Sequence, residues 1–171
     1  MIPNVSAHHD DKLSTAFKEW AVICRALATG RQDIILRKGG IIEPGGSFTL
    51  IADEFFLFPT FVHQSEDHLI PDSQDLLATI DDDRPPEGTV EFRHQVRVTK
   101  SFTVTEPEQL VALRPRHIWS DAIVNERFYR WKENLHVLVV DVTPVSPMIT
   151  IPWTDSFSGC KSWVTFEYPT A

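Results

Sequence analysis

Cysteine is almost absent from this sequence: Cys24 and Cys160 are the only two in 171 residues. So far apart, they make neither a disulfide framework nor a cysteine metal motif. No apolar run approaches the roughly 18 residues that a membrane helix needs, and the start carries no basic-then-apolar signal pattern. A soluble protein of the reducing cytoplasm, with no membrane partner, is the expectation. Familiar catalytic motifs are missing too. There is no Gly-x-Ser-x-Gly elbow and no His-Glu-x-x-His pair. The nuclease pattern of an acid followed by Glu-x-Lys has only a distant echo in Glu91-Phe92-Arg93. No internal repeat or low-complexity tract divides the chain.

What is present is apolar and aromatic. Hydrophobic residues make up 42% of the sequence, with eleven Phe and five Trp. Each of these rings can bury roughly 150–250 Å², so a single domain of this length can build a substantial core. The reading is an arm over residues 1–11 and one globular domain over 12–171.

The formal charge of −8 is unevenly spread. Residues 53–91 hold eleven acids against Arg84 alone, whereas residues 92–132 hold eight bases against four acids. The acidic total argues against a non-specific DNA coat, since phosphate neutralisation dominates such binding. A local basic face stays compatible with it.

Apolar residues at Leu13, Ala16, Phe17, Trp20, Ala21, Cys24 and Leu27 have helical spacing and predict a helix over about 12 to 28, stopped by Gly30. Ile34 to Leu36 reads as a buried strand turned by Gly39-Gly40. Phe48 to Ile51 reads as a short strand, and Phe55 to Phe58 as another ended by Pro59. Asp72 to Ile80 has weak helical character. Alternation from Val90 to Val104 predicts a long, bent or bulged strand. Short helices follow from Glu106 and from a Ser120 cap, and strands over Leu135–Val142, Ile149–Ile151 and Trp163–Phe166 complete the chain. Without a regular βαβ rhythm, the class is α+β. The expected form is a mixed, mostly antiparallel sheet or a small barrel-like core, with an N-terminal helix and two or three further helices.

Two groups of candidate site residues stand out. The first is a polar turn, Arg37, Lys38, Gly39, Gly40 and Glu43, close in sequence to Thr60 and His63. A glycine pair frees backbone N–H groups, and the two cations beside it suit a phosphate or carboxylate. It is not a P-loop, because the Ser or Thr after Lys38 and the spaced leading glycine are missing. A plain hairpin with a Lys38–Glu43 salt bridge uses the same residues. The second group joins Arg93 and Arg97 on one strand face to Arg114, Arg116, Trp119 and Arg130. Cations interleaved with aromatics bind phosphates and stack on bases. Pairing of the 93–97 face with the acidic 53–91 stretch is the competing explanation. His63 and His68, with Glu66 and Asp67 between them, lack a third ligand. Asp81-Asp82-Asp83 beside two prolines reads as a solvated loop. No metal or cofactor is therefore assigned.

Several blocks carry a family resemblance. They are Phe17 with Glu19-Trp20, Ala26-Leu27 with Gly30, Arg37-Lys38-Gly39-Gly40-Ile41 with Glu43, Phe55 to Thr60 with His63, and Gly159-Cys160 with Ser162-Trp163. Together they resemble the bacterial family called domain of unknown function 1802, over about 15 to 167. The resemblance implies no established activity. An association of that family with restriction-endonuclease-like domains implies a role beside a restriction–modification system.

Three functions fit these observations. A non-catalytic module for nucleic acid or a nucleotide-like ligand, built on a small β-rich core of the PUA-like kind, leads. A hydrolase acting on a phosphate-containing substrate is the alternative, with Arg37 and Lys38 holding the anion and Glu43 or His63 handling protons. A protein-binding partner using the acidic 53–91 stretch is the third.

Overall fold

The computed structural model describes residues 13–38 and 48–170. The expected N-terminal arm, the Gly39-Gly40 turn and Glu43 lie outside the described residues. The rest forms an α+β domain around one six-stranded sheet, ordered β2-β5-β4-β3-β1-β6. The strands are β1 (Leu13–Trp20), β2 (Ile34–Arg37), β3 (Glu54–Thr60), β4 (Thr89–Val104), β5 (Leu135–Pro152) and β6 (Trp163–Glu167). β1 pairs parallel with β3, and every other neighbouring pair is antiparallel. Four helices accompany them: α1 (Ala21–Ala28), α2 (Gln74–Ala78), α3 (Pro107–Leu113) and α4 (Asp121–Tyr129). The sheet is mixed and mostly antiparallel, as expected. It is open rather than a barrel, since the ordering ends at β2 and β6.

The expected helix over 12 to 28 is half strand. Residues 13–20 form β1, and only Ala21–Ala28 is helical. Ala16 and Phe17 are adjacent and both fully buried, yet they belong to different cores. Successive strand residues point to opposite faces, so a strand covered on both sides loses its alternation. Its apolar positions then imitate a helical stripe. Gly30 stands at φ +76° just beyond α1, a conformation that favours glycine.

The larger core lies on one face and gathers α1, β2 and Trp119, Val124 and Phe128 from the α4 region. The smaller, on the other, contains Phe58, Phe92, Phe157 and Phe166. β4 and β5 serve both. Register shifts between Phe92 and His94 and between Val98 and Lys100 bend this long pair. Val96, Val104, Leu135 and Val137 thus reach the larger core, while Val90, Phe92, Ile149 and Ile151 reach the smaller. The two strands expected over Leu135–Val142 and Ile149–Ile151 are one continuous strand. Phe48 to Ile51 forms no strand. Ser120 caps α4 as expected, its Oγ accepting from Ile123 N–H at 3.4 Å.

One departure positions the candidate site. β3 runs through Pro59 to Thr60, yet its pairing with β4 covers only Glu54, Phe55 and Phe56. Proline cannot donate to a ladder, and here β4 has already moved away. A cleft opens where the two strands part.

Candidate functional site

The cleft is a cavity of about 600 Å³. Phe58, Pro59 and Thr60 from the end of β3 form one wall, and Val90 and Glu91 from β4 form another. Phe61, Pro85, Pro86 and Trp153 add apolar surface around them. Lys18 of β1 reaches in from the same sheet face. Its Nζ donates to Phe157 O at 2.6 Å and Gly159 O at 2.8 Å, and lies 5.9 Å from the centre of the Phe58 ring. Burial, reinforced by the neighbouring Lys161 charge, holds its pKa below the ordinary lysine value. Gly159, at φ +92°, allows the sharp turn that brings its carbonyl to Lys18.

A second cavity of about 300 Å³ adjoins the first and shares Lys18, Thr60, Val62, His63, Gly159 and Cys160 with it. Four cations line it (Lys18, Arg37, Lys38 and Lys161), and among the described residues no carboxylate does. His63 stands at the junction with φ +63°, an uncommon conformation for a residue other than glycine. The Arg37 guanidinium lies 4.5 Å from the centre of the Phe17 ring and donates through Nη2 to Lys18 O. Its Nη1 is 3.8 Å from Oε2 of the buried Glu19. The Lys38 ammonium closes the turn after α4. It donates to Phe128 O at 3.2 Å, to Asn134 O at 2.8 Å, to Asn134 Oδ1 at 2.7 Å, and to Lys132 O. Burial first, then Arg130 and Lys132, holds its pKa below the usual range. Lys161 is exposed and makes no hydrogen bond or ion pair with the described residues.

A third cavity, of about 290 Å³, lies on the far side of the cleft wall and shares Pro59, Pro85 and Glu91 with it. Along that wall, Arg93 bonds Glu91 Oε2 through Nη2 at 2.6 Å and through Nε at 3.1 Å. Its Nη1 lies 3.4 Å from Asp83 Oδ1, and Asp83 Oδ2 accepts from Arg25 Nε at 2.9 Å.

Of the first group of candidate residues, Arg37, Lys38, Thr60 and His63 surround one cavity. Gly39, Gly40 and Glu43 are outside the described residues. The second group is not brought together. Arg93 is engaged by Glu91 and Asp83, and Arg97 by Glu54 at 3.1 Å. Arg114 meets Asp121 at 2.7 Å, Arg116 grips both oxygens of Asp33, and Arg130 pairs with Glu126. Trp119 is fully buried. Its ring lies 4.1 Å from the Arg127 guanidinium, whose pKa burial lowers to about 10. Much of the acidic 53–91 stretch is likewise engaged, with Asp75 held by Arg31 and Asp83 by Arg25 and Arg93.

Lys18, Glu91 and Trp153 escape a reading of the sequence. Lys18 is hidden inside an apparent helix, although a strand reading would set it opposite Phe17. Glu91 looks solvent-facing by alternation, yet it is buried just before the β4 bulge. Nothing local marks Trp153. Among the described residues, no cluster of His, Cys, Asp and Glu is placed to hold a metal ion, and no helix is long and apolar enough to cross a membrane.

These elements define a small α+β domain with a two-part cleft, of a fold shared with solved ASCH structures. The crystal structure of ASCH from Zymomonas mobilis superposes with a TM-score of 0.54 at 10% identity, covering 90% of this chain and 87% of that one. A serine-to-alanine mutant of the same Zymomonas protein gives 0.54 at 9% identity over 90% and 87%. A tyrosine-to-phenylalanine mutant of it gives 0.54 at 9% over 90% and 89%. At such identity the likeness is one of fold. The chain matches the model of the family described as "Domain of unknown function (DUF1802)" over residues 16–171, and it belongs to that family. No curated protein matches it.

Proposed function

We propose that this protein is a nucleic-acid-binding module that accommodates a nucleotide unit in its cleft. One observation carries this reading: an aromatic-walled cavity and a cation-lined cavity are joined through six shared residues. A nucleotide has the matching division. Its base gains from apolar and aromatic surroundings, and its phosphate gains from charge-assisted hydrogen bonds. Phe58, Phe61 and Trp153 serve the base, while Lys161, Arg37 and the remaining donor of Lys18 serve the phosphate. The local cationic lining offsets the acidic total for a ligand that enters here. A place beside a restriction–modification system, as the family resemblance implies, would supply such a module with nucleic acid.

The test is a titration of labelled single- and double-stranded oligonucleotides at low and high salt, followed by fluorescence anisotropy. Binding is expected to weaken with salt, and Lys161→Ala and Trp153→Ala are each expected to lower affinity about fivefold or more. Salt-insensitive binding, or full affinity in both variants, would overturn the reading.

A second reading, hydrolysis of a phosphate-containing substrate, draws on His63 at the junction beside the cations. It requires turnover of a phosphate ester that is lost in His63→Ala.

A further inference from the structure

We infer that Trp131 is a second stacking platform, so that the ligand is a single strand engaged through at least two of its bases. The inference rests on the nucleotide reading above and goes beyond it by naming the class of strand and a second site for it.

Trp131 directly follows the Arg130 cap of α4, and folding supplies no reason for a tryptophan there. It is 63% exposed, so its ring adds little to either core. Its φ of +62° is one that glycine or asparagine adopts far more readily. Among the described residues, the only other non-glycine residue with a positive φ is His63, which lines the cationic cavity. Backbone conformations of this kind gather where a ligand is held. The turn that carries Trp131 is also well tied. Lys132 N–H donates to Arg130 O at 2.8 Å, and Asn134 N–H donates to Lys132 O at 2.8 Å. The Lys38 ammonium then binds the carbonyls of Phe128, Lys132 and Asn134 together. The structure thus presents a large, exposed aromatic ring on a fixed support.

Its place relative to the cleft gives the ring a use. The aromatic cleft joins the cationic cavity through Lys18, Thr60, Val62, His63, Gly159 and Cys160. Lys38 lines the cationic cavity but not the cleft, and its ammonium reaches the carbonyl of the residue after Trp131. Trp131 therefore adjoins the cations at Lys38, apart from the residues that open into the cleft. A strand with one base in the cleft and its backbone among the cations brings a neighbouring base to Trp131. The surroundings suit a polyanion. Lys132 makes no side-chain hydrogen bond or ion pair with the described residues. The Arg130 guanidinium, 5.7 Å from the centre of the Trp131 ring, already neutralises Glu126, which leaves Glu133 as the acid beside the platform. Stacking on an exposed ring requires an unpaired base, so the strand is single.

The experiment measures binding of the full chain to thymidine 5′-phosphate and to a six-thymidine single strand by calorimetry. The strand is expected to bind more tightly than the mononucleotide. Trp131→Ala is expected to weaken the strand about fivefold or more and to leave the mononucleotide, which fills the cleft alone, within about twofold. Trp131→Phe, which keeps a ring, is expected to restore part of the loss. A third probe is the same six-unit backbone with one thymine and five abasic sugars. Its affinity is expected to be the same in wild type and in Trp131→Ala, because no second base reaches the platform. Four results would each overturn the platform and leave the nucleotide reading standing: a strand no tighter than the mononucleotide, full strand affinity in Trp131→Ala, an equal loss for the single-base probe, or no recovery in Trp131→Phe. Failure of the wild type to bind any of the three probes would overturn the nucleotide reading itself.

Discussion

Arg37, at the β2 edge of the sheet, donates to the main-chain carbonyl of Lys18 in β1. In the sheet order three strands separate β2 from β1, so this contact spans the curl of an open sheet. The same guanidinium faces Glu19, whose carboxylate is buried and whose Oε2 has no hydrogen-bond donor. Arg37 thus ties the two sides of the curl together and supplies the countercharge to a buried acid.

Removing Arg37 should destabilise the fold. Arg37→Ala leaves Glu19 buried without its countercharge, and breaking a buried pair costs about 3 kcal/mol. Glu19→Gln combined with Arg37→Ala should restore much of that loss, because no charge is then stranded. Urea midpoints of the two single variants and the double variant check this. A double variant as unstable as the sum of the singles would refute it.

His117 should make the protein acid-sensitive. Burial, with Arg114 alongside, pushes its pKa from 6.5 down to about 4. The geometry agrees: an Arg114 N–H can only donate, so His117 Nδ1 accepts, as a neutral ring does. The unfolded chain protonates this ring near pH 6.5 and the folded chain does so only near 4. Stability from this group is therefore fully present above pH 6.5, falls as pH drops, and is gone near 4. The loss across that window is about 3 kcal/mol. Unfolding curves at pH 7.5 and 4.5 should differ less in His117→Asn than in the wild type.

The two groups of cations should behave differently toward a ligand. Lys161 lines the cationic cavity with no partner of its own among the described residues, whereas Arg97 lies outside it and is bound to Glu54. Lys161→Ala should reduce the slope of log affinity against log salt by about 0.7, the value for one phosphate contact on a single strand. Arg97→Ala should leave both slope and affinity within about twofold. Anisotropy titrations across a salt series separate these outcomes.

Ser120 holds more than its own helix. Its Oγ accepts from Ile123 N–H and also donates to Asp67 O at 3.0 Å, tying α4 to the segment before α2. Ser120→Ala should lose about 1–2 kcal/mol. Thermal unfolding should show this as a drop of several degrees. Ser120→Asp, which keeps the capping oxygen but cannot donate to Asp67, should recover part of it.

Some of this architecture is legible in the sequence, and the reasons differ from element to element. α4 is announced by Ser120, because a capping hydroxyl before apolar residues is a local signal. The long β4 is announced by its alternation, because one side of much of it faces away from the core. β1 is concealed because both its faces are covered, so the period of two disappears. Pro59 reads as a stop because its cost depends on whether a partner strand needs its N–H, which only the tertiary pairing decides. The cleft is harder still. Arg37, Lys38 and His63 are marked by type and spacing, but Lys18, Glu91 and Trp153 join them from three other strands or loops. No local pattern records such a meeting.

Because β4 leaves β3 after only three paired residues, the two walls of the cleft are built by independent parts of the chain. One is the free end of β3, anchored by parallel pairing to β1. The other is carried by the link from Asp81 to Gly88, held by Arg25 on Asp83 and by the Arg84 guanidinium 4.7 Å from the Phe61 ring. Lengthening or shortening that link would therefore retune the width of the cleft like the jaw of a vice, while the ladders that hold the sheet together stay untouched.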